Sequence, residues 1–348
     1  MRSDRIEARW IAAFEEVFRQ CAVHRDDEVA IVSETQSRRL NVELAELALA
    51  RLGARPFHVV VPSPAPSTIP IRSTGASRAL ARREAPIAAL RASSLVVDLT
   101  VEGILHAPEL AQVRGAGARV LMISNEHPDI LERLLPNAAL RSRVEEAVAR
   151  LRAARRMTVR SPAGTELAIE LAGDPPVRGA WGACPDPGQV SYWPGGLCAC
   201  FPRPGSVSGT VVLAPGDVNL TFKRYLESAV RLRVERDYVV AVDGDGVDAA
   251  LLRSYLAAWG DAEAYGVSHV GWGLNAEARW EALTLYDRRD VNGTELRVFA
   301  GNFLYSTGAN ETADRRTEAH FDFPMRGCTV SLDGATVVVD GVLTDRAS

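Results

Sequence analysis

The sequence predicts a mixed architecture, α/β followed by α+β. A Rossmann-like domain with a parallel sheet is expected over residues 1–156, and a strand-rich metal-binding domain over 157–348. Near-continuous apolar runs alternate with helical patterns in the first part, as strands of a sheet covered on both faces do. From about Met157 onward short strands and Gly/Pro/Asp turns take over, with one clear helix at "DAALLRSYLAAWG" (248–260). A third observation concerns "EAHFDFPM" (318–325). Strand geometry there puts His320 and Asp322 on one face and Phe321 and Phe323 on the other. An imidazole and a carboxylate side by side over an apolar wall suit a cation, provided that the rest of the chain supplies a third ligand.

An amphipathic helix leads the chain. "EVAIVS" (28–33) then reads as a strand, "NVELAELALARLG" (41–53) as a helix starting at Asn41 and ending at Gly53, and "FHVVVP" (57–62) as the next strand. "SLVVDLT" (94–100) and "RVLMIS" (119–124) follow as strands, with helices at "PELAQV" and "PDILERLL". Between the second and third strands, residues 62–86 hold Pro62, Pro64, Pro66, Pro70 and Pro86. So long and proline-rich a stretch is either a functional loop or a mobile one. "RSRVEEAVARLRAARR" (141–156) connects the two domains. "DGDGVDAALL" (243–252) has the flavour of a calcium loop, but Val247 falls at its fifth position and no glutamate at its twelfth. A turn running into a helix capped by Asp248 explains it better. No G-x-G-x-x-G, P-loop or G-x-S-x-G is present, so the first domain lacks the dinucleotide fingerprint.

Composition excludes other classes. A net charge of -4 and no Lys/Arg-rich run leave no basic field for nucleic acid. The N-terminal "MRSDRIEARWIAAFEEVFRQ" carries charges throughout and has no apolar signal region. No apolar run approaches the roughly 18 residues that span a bilayer. A cytoplasmic protein with no membrane partner is therefore expected. Five cysteines at irregular spacing read as free thiols, and Cys198 and Cys200 in "GLCACFP" as buried core thiols in preference to metal ligands.

The third ligand comes from six histidines. His24, His58 and His127 read as structural or solvated, leaving His106 and His269. His269 lies in "YGVSHVGWGLN", where glycines at 266, 271 and 273 let the backbone pass close to a neighbour and leave the imidazole uncrowded. His269, His320 and Asp322 together form the ligand complement of the facial triad that holds Fe(II) with positions open for substrate and dioxygen.

"LVVDLTVEGILHAPE", "YGVSHVGWGLN", "GNFLYSTGAN" and "HFDFP" resemble segments of the 2,5-dihydroxypyridine 5,6-dioxygenase family, non-haem Fe(II) ring-cleaving enzymes related in fold to the aminopeptidase T metallopeptidases. The resemblance implies one Fe(II) per subunit on His269, His320 and Asp322, a small aromatic substrate with O2, and a homo-oligomer. It also implies that His106 is the catalytic base with Leu105 beside it, and that Arg297 and Ser306 line the substrate pocket. Two positions depart from the family. Tyr192 in "SYWPGG" stands where the family has a proton-delivering histidine, and "RGAWGACPDPG" offers Ala180 and Trp181 where a pocket glutamate is expected. Tyr192 is accordingly expected to take part in catalysis and substrate binding, on a changed substrate held by Arg297, Ser306 and Tyr192. The rival reading is a metal-dependent hydrolase, a peptidase or amidase of the same fold. Two-metal peptidases need further carboxylates, and "WPGGLCACFP" is apolar throughout.

Overall fold

The computed structural model describes residues 5–65, 77–123, 125–172 and 174–344. Four strands of the N-terminal half, β1 (Glu28–Glu34), β2 (Arg55–Val61), β3 (Leu95–Leu99) and β4 (Arg119–Met122), lie parallel in the order β2-β1-β3-β4. β3 and β4 are buried along their whole length, the state that their unbroken apolar runs require. Helices α1 (Ala8–Gln20), α2 (Arg39–Arg51), α3 (Glu84–Ala92), α4 (Leu110–Gly115), α5 (Pro128–Arg133) and α6 (Ala138–Ala153) accompany this sheet.

Local expectations need three corrections. α2 begins two residues before Asn41, with Arg38 at its N-cap. Asn41 is instead fully buried, and its amide donates to the Glu126 carbonyl at 2.9 Å, tying the helix to the loop after β4. Within the proline-rich stretch 62–86, α3 starts at Glu84, and Pro86 sits in its first turn, where a missing N–H costs nothing. Pro66 and Pro70 lie outside the described residues. Asp248 does not cap the helix α7 (Val247–Ala258); Gly246 does. The Asp248 carboxylate accepts from the backbone N–H groups of Glu227 and Ser228, tying the start of the helix to the turn before Val230.

Beyond residue 157, six strands position the site: β5 (Val177–Ala180), β6 (Val190–Tyr192), β7 (Leu197–Cys200), β8 (Val267–Gly273), β9 (Phe303–Asn310) and β10 (Arg315–Met325). Five of them form an antiparallel sheet in the order β10-β9-β8-β7-β5. β6 leaves its neighbours and pairs parallel with β4, with Tyr192 opposite Met122. Residues 190–192, from the later part of the chain, thus complete the first sheet. A further antiparallel sheet of eight strands runs from Tyr238–Asp243 at one edge to Val342–Leu343 at the other. Among the described residues no helix is long and apolar enough to cross a membrane.

The apolar wall behind the His320 and Asp322 pair is real. Phe321 and Phe323 stack at 4.4 Å between centroids, and Tyr255 of α7 meets Phe321 edge-on at 4.7 Å. Both phenylalanines are 1% exposed. Burying a side chain of this size contributes roughly 1.5–3 kcal/mol, so the polar pair cannot swing to that face without losing this packing. Cys198 and Cys200 are fully buried free thiols in β7, and burial pushes Cys200 up to about 12.

Candidate metal and substrate site

β9 and β10 set the register of the centre. Ser306 lies opposite Asp322 and Gly308 opposite His320. Gly308 has φ +115°, and a Cβ there would lie 2.1 Å from the Ala319 carbonyl, so only glycine lets the strands close beside His320. His269 sits where β8 slips register against β9, between Val267 and Val270. Such a bulge re-aims a side chain, here toward the His320 and Asp322 pair. The two imidazoles stack at 5.3 Å and 14°. Their Nε2 atoms lie 3.7 Å (His269) and 3.2 Å (His320) from Asp322 Oδ1.

Donor atoms from these three residues all fall within 4.8 Å of one another, and among the described residues no other cluster of three such groups is found. Two imidazoles and one carboxylate, all buried, fit a single divalent ion with little movement. His320 Nδ1 is buried without a hydrogen-bond partner among the described residues, so hydrogen bonding on that side does not lock the ring away from a metal. Burial alone would raise Asp322, but His320 and Arg297 overcome it and hold the carboxyl well below its usual range. Burial pushes His269 down to about 3, against the upward pull of Asp322. Both groups are thus in the protonation state that a metal requires.

His106 arrives from the other sheet, in the loop after β3. Its ring lies 4.9 Å from that of His320 and 6.3 Å from that of His269. Burial, with the neighbouring His320 and His269, lowers its pKa well below the ordinary value. The loop is shaped by Asp98, which the sequence reading passed over. One carboxylate oxygen accepts from the Thr100 N–H (3.0 Å) and hydroxyl (2.7 Å), and the other from the Ile104 N–H (2.8 Å). Burial pushes Asp98 up to about 6 despite these bonds. A charged residue inside "LVVDL", at the carboxyl end of a buried strand, was the available signal.

Arg297, on the short helix Thr294–Val298, was expected to face the substrate. It does line the cavity in front of the triad, and its Nε also donates to Asp322 Oδ2 at 2.6 Å, so its hydrogen-bond partner is the candidate ligand. Glu126, also missed, anchors that helix by accepting from the Thr294 N–H at 2.6 Å. Ser306 was likewise expected on the pocket wall. It is fully buried beneath the centre, where its hydroxyl donates to Asp322 Oδ1 and lies 3.2 Å from His269 Nε2. It does not line the cavity that opens in front of the triad.

That cavity is largely apolar, walled by Leu105, Met122, Val190, Leu197, Ala199 and Phe201. Polar groups enter from Glu102, His106, Arg178, Tyr192, Asn292, Thr294 and Arg297. Leu105, His106 and Tyr192 were anticipated, and Ala180 lies on the wall without a carboxylate. Arg178, Phe201, Met122 and Glu102 were not anticipated. Burial pushes the Tyr192 hydroxyl above its usual range, so it stays protonated.

Fold and site together define an enzyme whose pocket is built on a two-histidine, one-carboxylate donor set at the meeting of two sheets. The chain belongs to the 2,5-dihydroxypyridine 5,6-dioxygenase family, whose sequence model matches residues 9–345. It is 36% identical over 333 residues to the 2,5-dihydroxypyridine 5,6-dioxygenase of Pseudomonas putida KT2440, covering 94% of each chain. The solved structure of 2,5-dihydroxypyridine dioxygenase from that organism superimposes with a TM-score of 0.92, at 34% identity and 99% coverage of both chains. Wild-type AmpT from Thermus thermophilus matches with a TM-score of 0.64 over 97% of this chain and 99% of its own, at 16% identity, a likeness of fold alone.

Proposed function

We propose that the chain is a non-haem Fe(II)-dependent dioxygenase that opens a hydroxylated, nitrogen-bearing aromatic ring with O2. His269, His320 and Asp322 would hold one iron per subunit. The observation that best supports this reading is the approach of His106, with its depressed pKa, to within 4.9 Å of the His320 ring. A base, a three-donor set and a largely apolar cavity meet at one point.

Iron, when bound, would supply redox-active positions at which ring and dioxygen meet. The remaining work falls to the chain. His106, neutral at physiological pH, takes the proton from a ring hydroxyl and leaves the ring electron-rich. Tyr192, held protonated, donates a hydrogen bond to a ring oxygen. Arg297 occupies Asp322 Oδ2 and so leaves Oδ1 turned toward the imidazoles. Leu105, Met122, Leu197 and Ala199 offer apolar surface for an aromatic ring.

A hydrolase with two metals would need further carboxylates beside the triad. Leu197 and Ala199 of β7 present apolar side chains there, and among the described residues no further carboxylate joins the three-donor cluster, so the desolvation cost of a second dication would go uncompensated. Metal analysis of anaerobically purified protein, followed by oxygen uptake against hydroxypyridines and dihydroxybenzoates, tests the reading. One iron per chain and substrate-dependent oxygen uptake are expected. Metal-dependent amide hydrolysis without oxygen uptake would overturn it.

A further inference from the structure

We propose that Arg178 binds an anionic substituent, a carboxylate, on the aromatic ring, which makes the substrate class a hydroxylated aromatic acid and not a neutral dihydroxy ring. The inference rests on the dioxygenase reading for the ring itself and adds the group that the ring carries.

Arg178 lies on β5, paired with Ala199 of β7, and both residues line the cavity. Its guanidinium stands 4.8 Å over the Phe201 ring, and that ring lies 5.5 Å from His269. One aromatic ring therefore separates the cation from the candidate metal ligands. A substrate ring held at the triad end, beside His106, can direct a substituent away from the metal and onto Arg178.

The two cavity arginines differ in how they are employed. Arg297 is committed to Asp322 at 2.6 Å. The Arg178 side chain makes no ion pair or hydrogen bond among the described residues. Of the charges that act on it, Arg114 repels and Glu311 attracts. Arg178 is exposed in the free protein, although partial burial of its guanidinium lowers its pKa from the ordinary value. A ligand that fills the cavity beside it displaces water there and must supply the missing anion, or the guanidinium is left desolvated and unpaired. A planar fork of N–H donors matches a carboxylate with two parallel hydrogen bonds, and the stacking on Phe201 holds the fork in place. Since the Asp322 carboxylate is already paired with Arg297 at 2.6 Å, it does not compete for Arg178.

The test compares 2,5-dihydroxypyridine with ring-carboxylated dihydroxypyridines, on iron-loaded wild-type protein and on R178Q, R178E and R178K. Binding is measured anaerobically by calorimetry, and kcat/KM by oxygen uptake. The expected wild-type preference is at least about 10-fold for the carboxylated ring. The carboxylated-to-neutral ratio should then fall roughly 10- to 100-fold in R178Q, invert in R178E and be partly kept in R178K. Equal ratios in wild type and R178Q would overturn the assignment while leaving the dioxygenase reading intact. Binding selectivity that follows Arg178, with no oxygen consumed on any ring, would instead overturn the reaction and keep the anion site. Circular dichroism of each variant checks the fold, and R178K carries the test if the other variants are unstable.

Discussion

Arg297 offers the sharpest mutational separation between ligand support and substrate binding. In Arg297→Met, Asp322 Oδ2 loses its 2.6 Å partner, in a place where the two side chains are only 15% and 2% exposed. Oδ1 keeps the Ser306 hydroxyl and the two imidazoles. Removing an outer partner of a metal ligand costs about 10- to 100-fold in metal affinity, or about 1.4–2.7 kcal/mol. With the guanidinium gone, burial raises Asp322, so metal uptake should also move to higher pH. The assay is an anaerobic Fe(II) titration against a competing chelator at two pH values, followed by steady-state kinetics at saturating metal. The expected outcome is weakened iron affinity with kcat/KM largely recovered by excess iron. Unchanged metal affinity with a raised KM would refute the reasoning and return Arg297 to the substrate.

His106→Gln should retain metal but slow turnover by roughly 100-fold or more, the size of a lost general base. Because the His106 pKa is lowered from 6.5, the acid limb of kcat/KM should fall below pH 6.5 in the wild type and vanish in the variant; a limb at or above 6.5 that survives the substitution argues against it as the base. Asp98 titrates near 6 in the fold against 3.8 in the open chain. Its contribution to stability is full below the unfolded value and is lost as pH rises through about 6, so Asp98→Asn should flatten roughly 2–3 kcal/mol of that decline, as measured by urea denaturation between pH 4 and pH 7, while slowing turnover through the misplaced His106 loop. If Tyr192 marks a changed substrate, kcat/KM for 2,5-dihydroxypyridine should lie below the ordinary enzymatic range of about 10⁴ M⁻¹s⁻¹ and above; steady-state kinetics that reach this range would contradict the change.

What could be read in advance follows from which interactions are local. The parallel strands and the shared face of His320 and Asp322 depend on periodicities of a few residues, and both were legible. His269 was legible because its strand is studded with glycines, although the bulge that turns it was not. Contacts that close across the chain were hidden: Arg297 meets a partner 25 positions away, and Ser306 is drawn beneath the centre by pairing with β10. The return of β6 to the first sheet was invisible because three residues carry too little pattern to show a partner. Asn41 misled because a residue favoured at helix starts also serves as a buried amide, and only the tertiary contact with Glu126 distinguishes the two.

A ring-opening dioxygenase working at the His269, His320 and Asp322 centre would place both atoms of dioxygen in its product. Turnover of the best hydroxylated ring substrate by iron-loaded protein under ¹⁸O₂, with mass analysis of the ring-opened product, tests it most directly. The account predicts two labelled oxygens in the product, and no product from Asp322→Ala. A product that takes its oxygen from water, or an unopened ring bearing one labelled atom, would contradict it.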